Sequence, residues 1–140
     1  MDEKYLNVLL KEAKKAQSKD EVPISALIVN DKGKIIAKAH NNREKTHLTI
    51  NHAEIICINK ANKCMKNKLL DNCSLYITLE PCDMCKVVIK EARIKNVYYL
   101  LNRNPDKKLH SKTSFKLINN HLAEKDNYQQ LLANFFKKRR

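Results

Sequence analysis

The sequence predicts an α/β protein in layers, with helices packed on a sheet. Three observations predict it. Leu6, Leu9, Leu10, Ala13 and Ala16 recur at helical spacing near the start, the β-rich runs "SLYITL" and "NVYYLL" bracket a helical segment in the middle, and a hairpin turn holds the only glycine.

The elements follow in order. Residues 3–18 read as an amphipathic helix on the spacing just given. Two short apolar runs come next, "VPISALIV" from Val22 and "KIIAKA" from Lys34, joined by Asn30-Asp31-Lys32-Gly33, which predicts two strands around a tight turn. "NHAEIICINKANKCM" (51–65) reads as a helix, "SLYITL" (74–79) as a strand, "CDMCKVVIKEARI" (82–94) as a helix and "NVYYLL" (96–101) as a strand. A polar stretch from Asn102 to Ser114 follows, with a short strand expected at Phe115–Ile118. The last helix carries Tyr128, Leu131, Leu132, Phe135 and Phe136 on its apolar face, and Phe136, at the edge of the stripe, reads either as core, the reading put slightly ahead, or as a stacking platform for an unpaired base.

A length of 140 residues suits one domain, taken as 1–140. No leader-like segment and no apolar run near twenty residues is read, so the expected location is cytoplasmic. Five cysteines form an odd set without the spacing of a disulfide framework, which favours thiols free to hold a metal. The net charge of +13 owes much to 23 lysines and is weak evidence by itself. Its distribution says more: residues 1–85 carry 14 Lys and Arg against 11 Asp and Glu, whereas residues 86–140 carry 14 against 4. A basic C-terminal portion suits a polyanion, although a solvated lysine-rich surface gives the same count.

The chemistry concentrates in two short motifs. In "TLEPCDMC", Cys82 and Cys85 are three positions apart, so in a first helical turn their sulfurs lie about 60° apart and share one face. Pro81 suits a helix start, and a helix N-terminus favours the thiolate that binds zinc. In "NHAE", His52 and Glu54 open another helix after a strand and a loop, and two such helix starts meet at one sheet edge in α/β folds. His52, Cys82 and Cys85 would leave a tetrahedral zinc with one open position, the catalytic pattern. A closed structural site would need a fourth ligand. Cys57 points about 140° away from His52 and Cys64 lies three turns along the helix, while Cys73 stays open on spacing alone.

Together the motifs match the H-x-E…P-C-x-x-C signature of zinc-dependent nucleobase deaminases. The chain further resembles the bacterial tRNA-specific adenosine deaminases over about residues 1–101 and again in the last helix: "EVPISALIV", Asn41 after the second strand, "HAEI", "LYITLEPCDMC", "EARIKNV" and the ending "ANFFKKRR". The resemblance implies a cytidine-deaminase-like three-layer α/β/α sandwich with a central mixed sheet. It also implies a homodimer with one Zn2+ per subunit, acting on tRNA to convert the wobble adenosine of an anticodon to inosine through zinc-activated water. By position, His52, Cys82 and Cys85 would hold the metal, Glu54 would move the protons, and Asn41 and Ala53 would contact the target nucleotide. Phe136, Lys137, Lys138, Arg139 and Arg140 would touch RNA. The chain departs from the family at Leu48-Thr49-Ile50-Asn51, at Asn102–Lys108 and at Ser25, positions that bear on pocket and groove shape. Two other classes fit the motifs: a deaminase of a free base or nucleoside of cytosine or guanine type, and an RNA-binding module with structural zinc.

Overall fold

The computed structural model describes residues 2–103 and 113–138. Helix α1 (Glu3–Ser18) leads to β1 (Ser25–Val29) and β2 (Ile35–His40); a single turn, α2 (Arg43–Thr46), precedes α3 (Ala53–Met65). Then come β3 (Ser74–Leu79), α4 (Asp83–Glu91), β4 (Asn96–Leu101), β5 (Ser114–Leu117) and α5 (Leu122–Lys138). One sheet of order β2-β1-β3-β4-β5 contains the five strands of the described residues. β1 runs antiparallel to both β2 and β3, whereas β3–β4 and β4–β5 are parallel. The sheet is therefore mixed, as the sequence leads one to expect.

The strand period of two divides the core. On one face, Ala26 and Ile28 of β1, Ala37 and Ala39 of β2, and Leu75 and Ile77 of β3 pack against Cys57, Ile58 and Ala61 of α3 and Ile89 of α4. On the other, Leu27 and Val29 meet Tyr5 and Leu9 of α1, and Leu6 packs with Leu100 and Ile118. α5 joins α1 on this second face, with Gln17 Nε2 donating to the Leu131 carbonyl at 3.5 Å. β1 is buried along its whole length because both layers cover it, so its run reads as continuously apolar. Each fully buried leucine or isoleucine contributes about 1.5–3 kcal/mol relative to exposure.

Local chemistry sets the connections. In the hairpin, Asn30 Oδ1 accepts from the N–H groups of Lys32 and Lys34 at 3.0 and 2.9 Å, and Gly33 takes φ 79°. With one glycine in the chain, the left-handed positions that end α3 and follow α4 fall to Lys66 (φ 52°) and Arg93 (φ 61°). That conformation stops α4 at Glu91, short of the expected Ile94. The turn α2 has no periodic signal of its own; Glu21, almost fully buried, accepts from the N–H groups of Glu44 and Lys45 at 3.0 and 2.9 Å. A distant carboxylate thus makes this helix.

Another buried carboxylate, Glu12, ties α1 to the end of β2. His40 Nδ1 lies 2.9 Å from it, Lys15 Nζ 3.2 Å and Lys38 Nζ 3.7 Å. Burial alone would raise the Glu12 pKa, but hydrogen bonds to His40 and Lys15 and their charges bring it below the ordinary glutamate value. A carboxyl depressed in the folded state adds stability that is present above its unfolded pKa and lost as pH falls through the folded one. Glu12→Gln should lower stability at neutral pH by about 1–3 kcal/mol. The gap between variant and parent should narrow below pH ~4, which thermal melts across that range will measure.

Candidate metal centre

Two helix starts meet at the carboxyl end of β3. The strand ends at Leu79, the chain continues through Glu80 and Pro81, and Cys82 is the residue that caps α4. His52 caps α3 in the same way. Neither side chain bonds to its own helix, so both are turned to another use. His52 Nδ1 lies 3.6 Å from Cys82 Sγ and 3.4 Å from Cys85 Sγ, and the three ligand atoms all fall within 4.8 Å of one another. Two ligands at zinc bond lengths and a tetrahedral angle would stand about 3.5 Å apart. The residues fit a zinc ion in spacing and in donor chemistry. Among the described residues no fourth His, Cys, Asp or Glu joins the group. Cys57 and Cys73 are buried in the apolar core, and Cys64 is exposed at the far end of α3.

The electrostatics follow from burial. The His52 pKa is lowered, first by burial and then by the charges of Arg43 and Arg103, so its ring is neutral with a lone pair to give. Cys85 behaves differently from the helix-N-terminus expectation. Burial pushes its thiol far up, and the Glu54 carboxylate and Cys82 add to the effect. A metal that binds there displaces the proton.

Glu54 sits in the first turn of α3, 2% exposed, with Oε1 buried and without a hydrogen-bond partner among the described residues. Burial raises its pKa, against the pull of its own N–H, Cys85 and Arg103. A buried carboxyl with an unused oxygen beside three metal-type donors can take a proton and give it back. Asn41 is also buried, and its Oδ1 accepts from Ala53 N–H at 2.8 Å. The α3 start, whose own cap residue is committed elsewhere, is therefore capped from the neighbouring loop. The same bond fixes the Asn41 amide, so that its Nδ2 is left as a donor. Ala53 has its N–H engaged and its methyl fully buried.

Some neighbours of the centre had no signal in the sequence. Glu80 Oε2 pairs with Lys86 Nζ at 2.9 Å, both buried. Arg103 donates from its N–H to Glu80 Oε1 at 3.3 Å and from Nε to the Glu80 carbonyl at 3.1 Å. The predicted contact group of the C-terminal helix divides. Phe135 is buried, whereas Phe136, read from the stripe as core, is 53% exposed with its ring edge-on to Phe135 at 5.3 Å. A 100° step per residue carries Phe136 beyond the packed face. Lys137 and Lys138 are exposed at the end of α5; Arg139 and Arg140 lie outside the described residues.

The chain matches the family model of the MafB19-like deaminases over residues 1–140. A tRNA-specific adenosine deaminase of Aquifex aeolicus is 39% identical across 99% of this chain and 95% of its own length. Another, of Bacillus subtilis, is 45% identical across 70% of this chain and 60% of its own length. The solved structure of a tRNA:A34 deaminase, from work on A-to-I editing at the wobble position, superposes with a TM-score of 0.73 at 31% identity, covering 81% of this chain and 96% of that one.

Removing the Asn41 carbonyl should expose the cost of an uncapped buried N–H. Asn41→Ala is expected to lower stability by about 1–3 kcal/mol, while Asn41→Asp, which keeps the acceptor, should retain most of it. Chemical denaturation of the two variants checks this.

Proposed function

Since the chain belongs to the MafB19-like deaminase family, with relatives named tRNA-specific adenosine deaminase, we propose that it deaminates adenosine to inosine at the wobble position of a tRNA anticodon. The observation that carries the reading is the buried, unpaired Glu54 Oε1 beside His52, Cys82 and Cys85 at the start of two helices. In it, residues 1–140 work as one deaminase domain, and His52, Cys82 and Cys85 hold one zinc. Zinc in such a site lowers the pKa of its water and so supplies a nucleophile near neutral pH.

The chain's own residues do the rest. Glu54 takes one proton from the attacking water and gives it to the ring nitrogen of the flipped-out adenine as the water oxygen bonds to C6; it then takes the second proton from the new C6 hydroxyl and gives it to the amine, so that the C6–N bond breaks and ammonia leaves. Its raised pKa suits a group that must hold and release a proton. Asn41 donates from Nδ2 to the target nucleotide, and Ala53 acts through the N–H that orients it. Phe136, exposed on the last turns of α5, offers a ring for an unpaired base, and Lys137 and Lys138 lie beside it for the phosphates, with Arg139 and Arg140 extending the same run.

The homodimer is supported by three exposed apolar side chains, Leu48 and Ile50 in the loop before His52 and Val87 on α4, which a second copy would cover. A reducing cytoplasm is supported by the need for free thiols at the centre. No helix of the described residues is long and apolar enough to cross a membrane.

The purified protein incubated with total tRNA should leave inosine at a wobble position, read by sequencing. Ammonia released from guanine or cytosine, with tRNA unchanged, would replace this reading with that of a free-base deaminase. Glu54→Gln should keep zinc and RNA binding yet lose ~10²–10⁴-fold in turnover; zinc lost in parallel with activity would make Glu54 a ligand instead. Phe136→Ala should cost about 1–3 kcal/mol of RNA affinity with little change in melting temperature, measured by titration and thermal melts of the same preparation.

A further inference from the structure

Arg103 stands two residues past the end of β4 and is exposed, yet its guanidinium is held in place. Nε donates to the Glu80 carbonyl at 3.1 Å, and the backbone N–H reaches Glu80 Oε1 at 3.3 Å. Glu80 is fixed in turn: it is buried, with Oε2 committed to Lys86 Nζ at 2.9 Å. The pinned carbonyl belongs to the residue two before Cys82, so the guanidinium lies at the rim of the candidate metal centre. Its charge reaches both His52 and Glu54. Among the described residues no carboxylate forms an ion pair with it, and no hydrogen bond uses its Nη groups.

This is an unusual way to leave an arginine. One whose task were to steady Glu80 would do so through Nε alone and would gain from an acid on its outer side. Instead, the described residues leave both Nη groups unengaged at a site rim, on a guanidinium already ordered by the inner bond. That fork matches two oxygens of a phosphate, and a preset guanidinium loses little freedom on binding one.

We propose that Arg103 is a phosphate-binding residue of this site, gripping through its Nη groups a phosphodiester next to the nucleotide whose base enters the pocket. The inference rests on the reading of the substrate as RNA and adds to it a means of choosing a polynucleotide over a free nucleoside. A nucleoside has no anion for the fork, so Arg103 contributes nothing to its binding. A nucleotide within a chain meets it at a defined distance from the reacting base.

The test is a cycle between protein and RNA. The probe is an anticodon stem-loop hairpin with a wobble adenosine, made either with natural linkages or with one neutral methylphosphonate on the 5′ or 3′ side of that adenosine. Dissociation constants are measured across salt for the zinc-loaded wild type and for Arg103→Gln, with melting temperature and zinc content in parallel. Arg103→Gln should weaken binding of the natural hairpin and lower the log–log salt slope by about 0.7–0.9. One of the two neutral linkages should weaken the wild type several-fold and leave the variant unaffected. Equal losses in both proteins for both linkages, or an unchanged salt slope, would overturn the inference. Should Arg103→Gln unfold, Arg103→Lys carries the same cycle: its point charge retains the salt slope but reduces the several-fold linkage effect, whereas an unreduced linkage effect counts against the fork. If the wild type binds the hairpin with the linkage effect but forms no inosine, the deaminase reading fails and the phosphate contact stands; inosine formed without any linkage effect does the reverse.

Discussion

Everything at the site depends on two helix starts converging at one strand end with their cap residues withheld from capping. His52 and Cys82 occupy positions where a serine or aspartate side chain would bond the free N–H groups of the first turn. Here both side chains turn inward instead, to within 3.6 Å of each other. For α3 the loss is offset by Asn41, which reaches across from the end of β2 to accept the Ala53 N–H. The cost of forming the centre is thus spread over a neighbouring loop, and that loop becomes part of the site.

The same logic governs the carboxylates. Glu12, Glu21 and Glu80 are all buried, and each is satisfied by groups of other elements: His40 and Lys38, the N–H groups of α2, and Lys86 of α4 with the Arg103 N–H. Breaking such a pair leaves a buried charge uncompensated, which costs more than the pair contributes when intact. All three attach to loops or strand ends, the parts of an α/β fold with the fewest backbone partners. Glu54 is the exception, since its Oε1 has no bonding partner within the described chain. An acceptor left open among satisfied neighbours calls for an explanation beyond packing, which the proposed proton transfer supplies.

Burial also decides the protonation of the centre. At Cys85, removal of the thiol from water raises its pKa, and the neighbouring Glu54 and Cys82 add to the effect. His52 moves the opposite way, towards the neutral form, because desolvation and two nearby arginines disfavour its cation. Both shifts favour the neutral forms, and binding a metal at such a site releases thiol protons.

The sequence by itself determined the strands and long helices, because their apolar periods of two and 3.6 are local properties: Glu3–Ser18, Ser74–Leu79 and Asn96–Leu101 coincide with the expected segments. Residue type and spacing at two helix starts also singled out His52, Cys82 and Cys85, whose ligand atoms the structure brings together. The sequence misjudged what depends on neighbours. Phe136 falls on an apolar stripe and yet is exposed, because a helix pattern says which residues share a face and not where its packing partner stops. The turn α2, the early end of α4 at Arg93, and the bonds of Asn41 and Arg103 were decided only by the tertiary structure. Each depends on a buried group or backbone constraint supplied by a different segment, and a one-dimensional pattern holds no record of which segments meet.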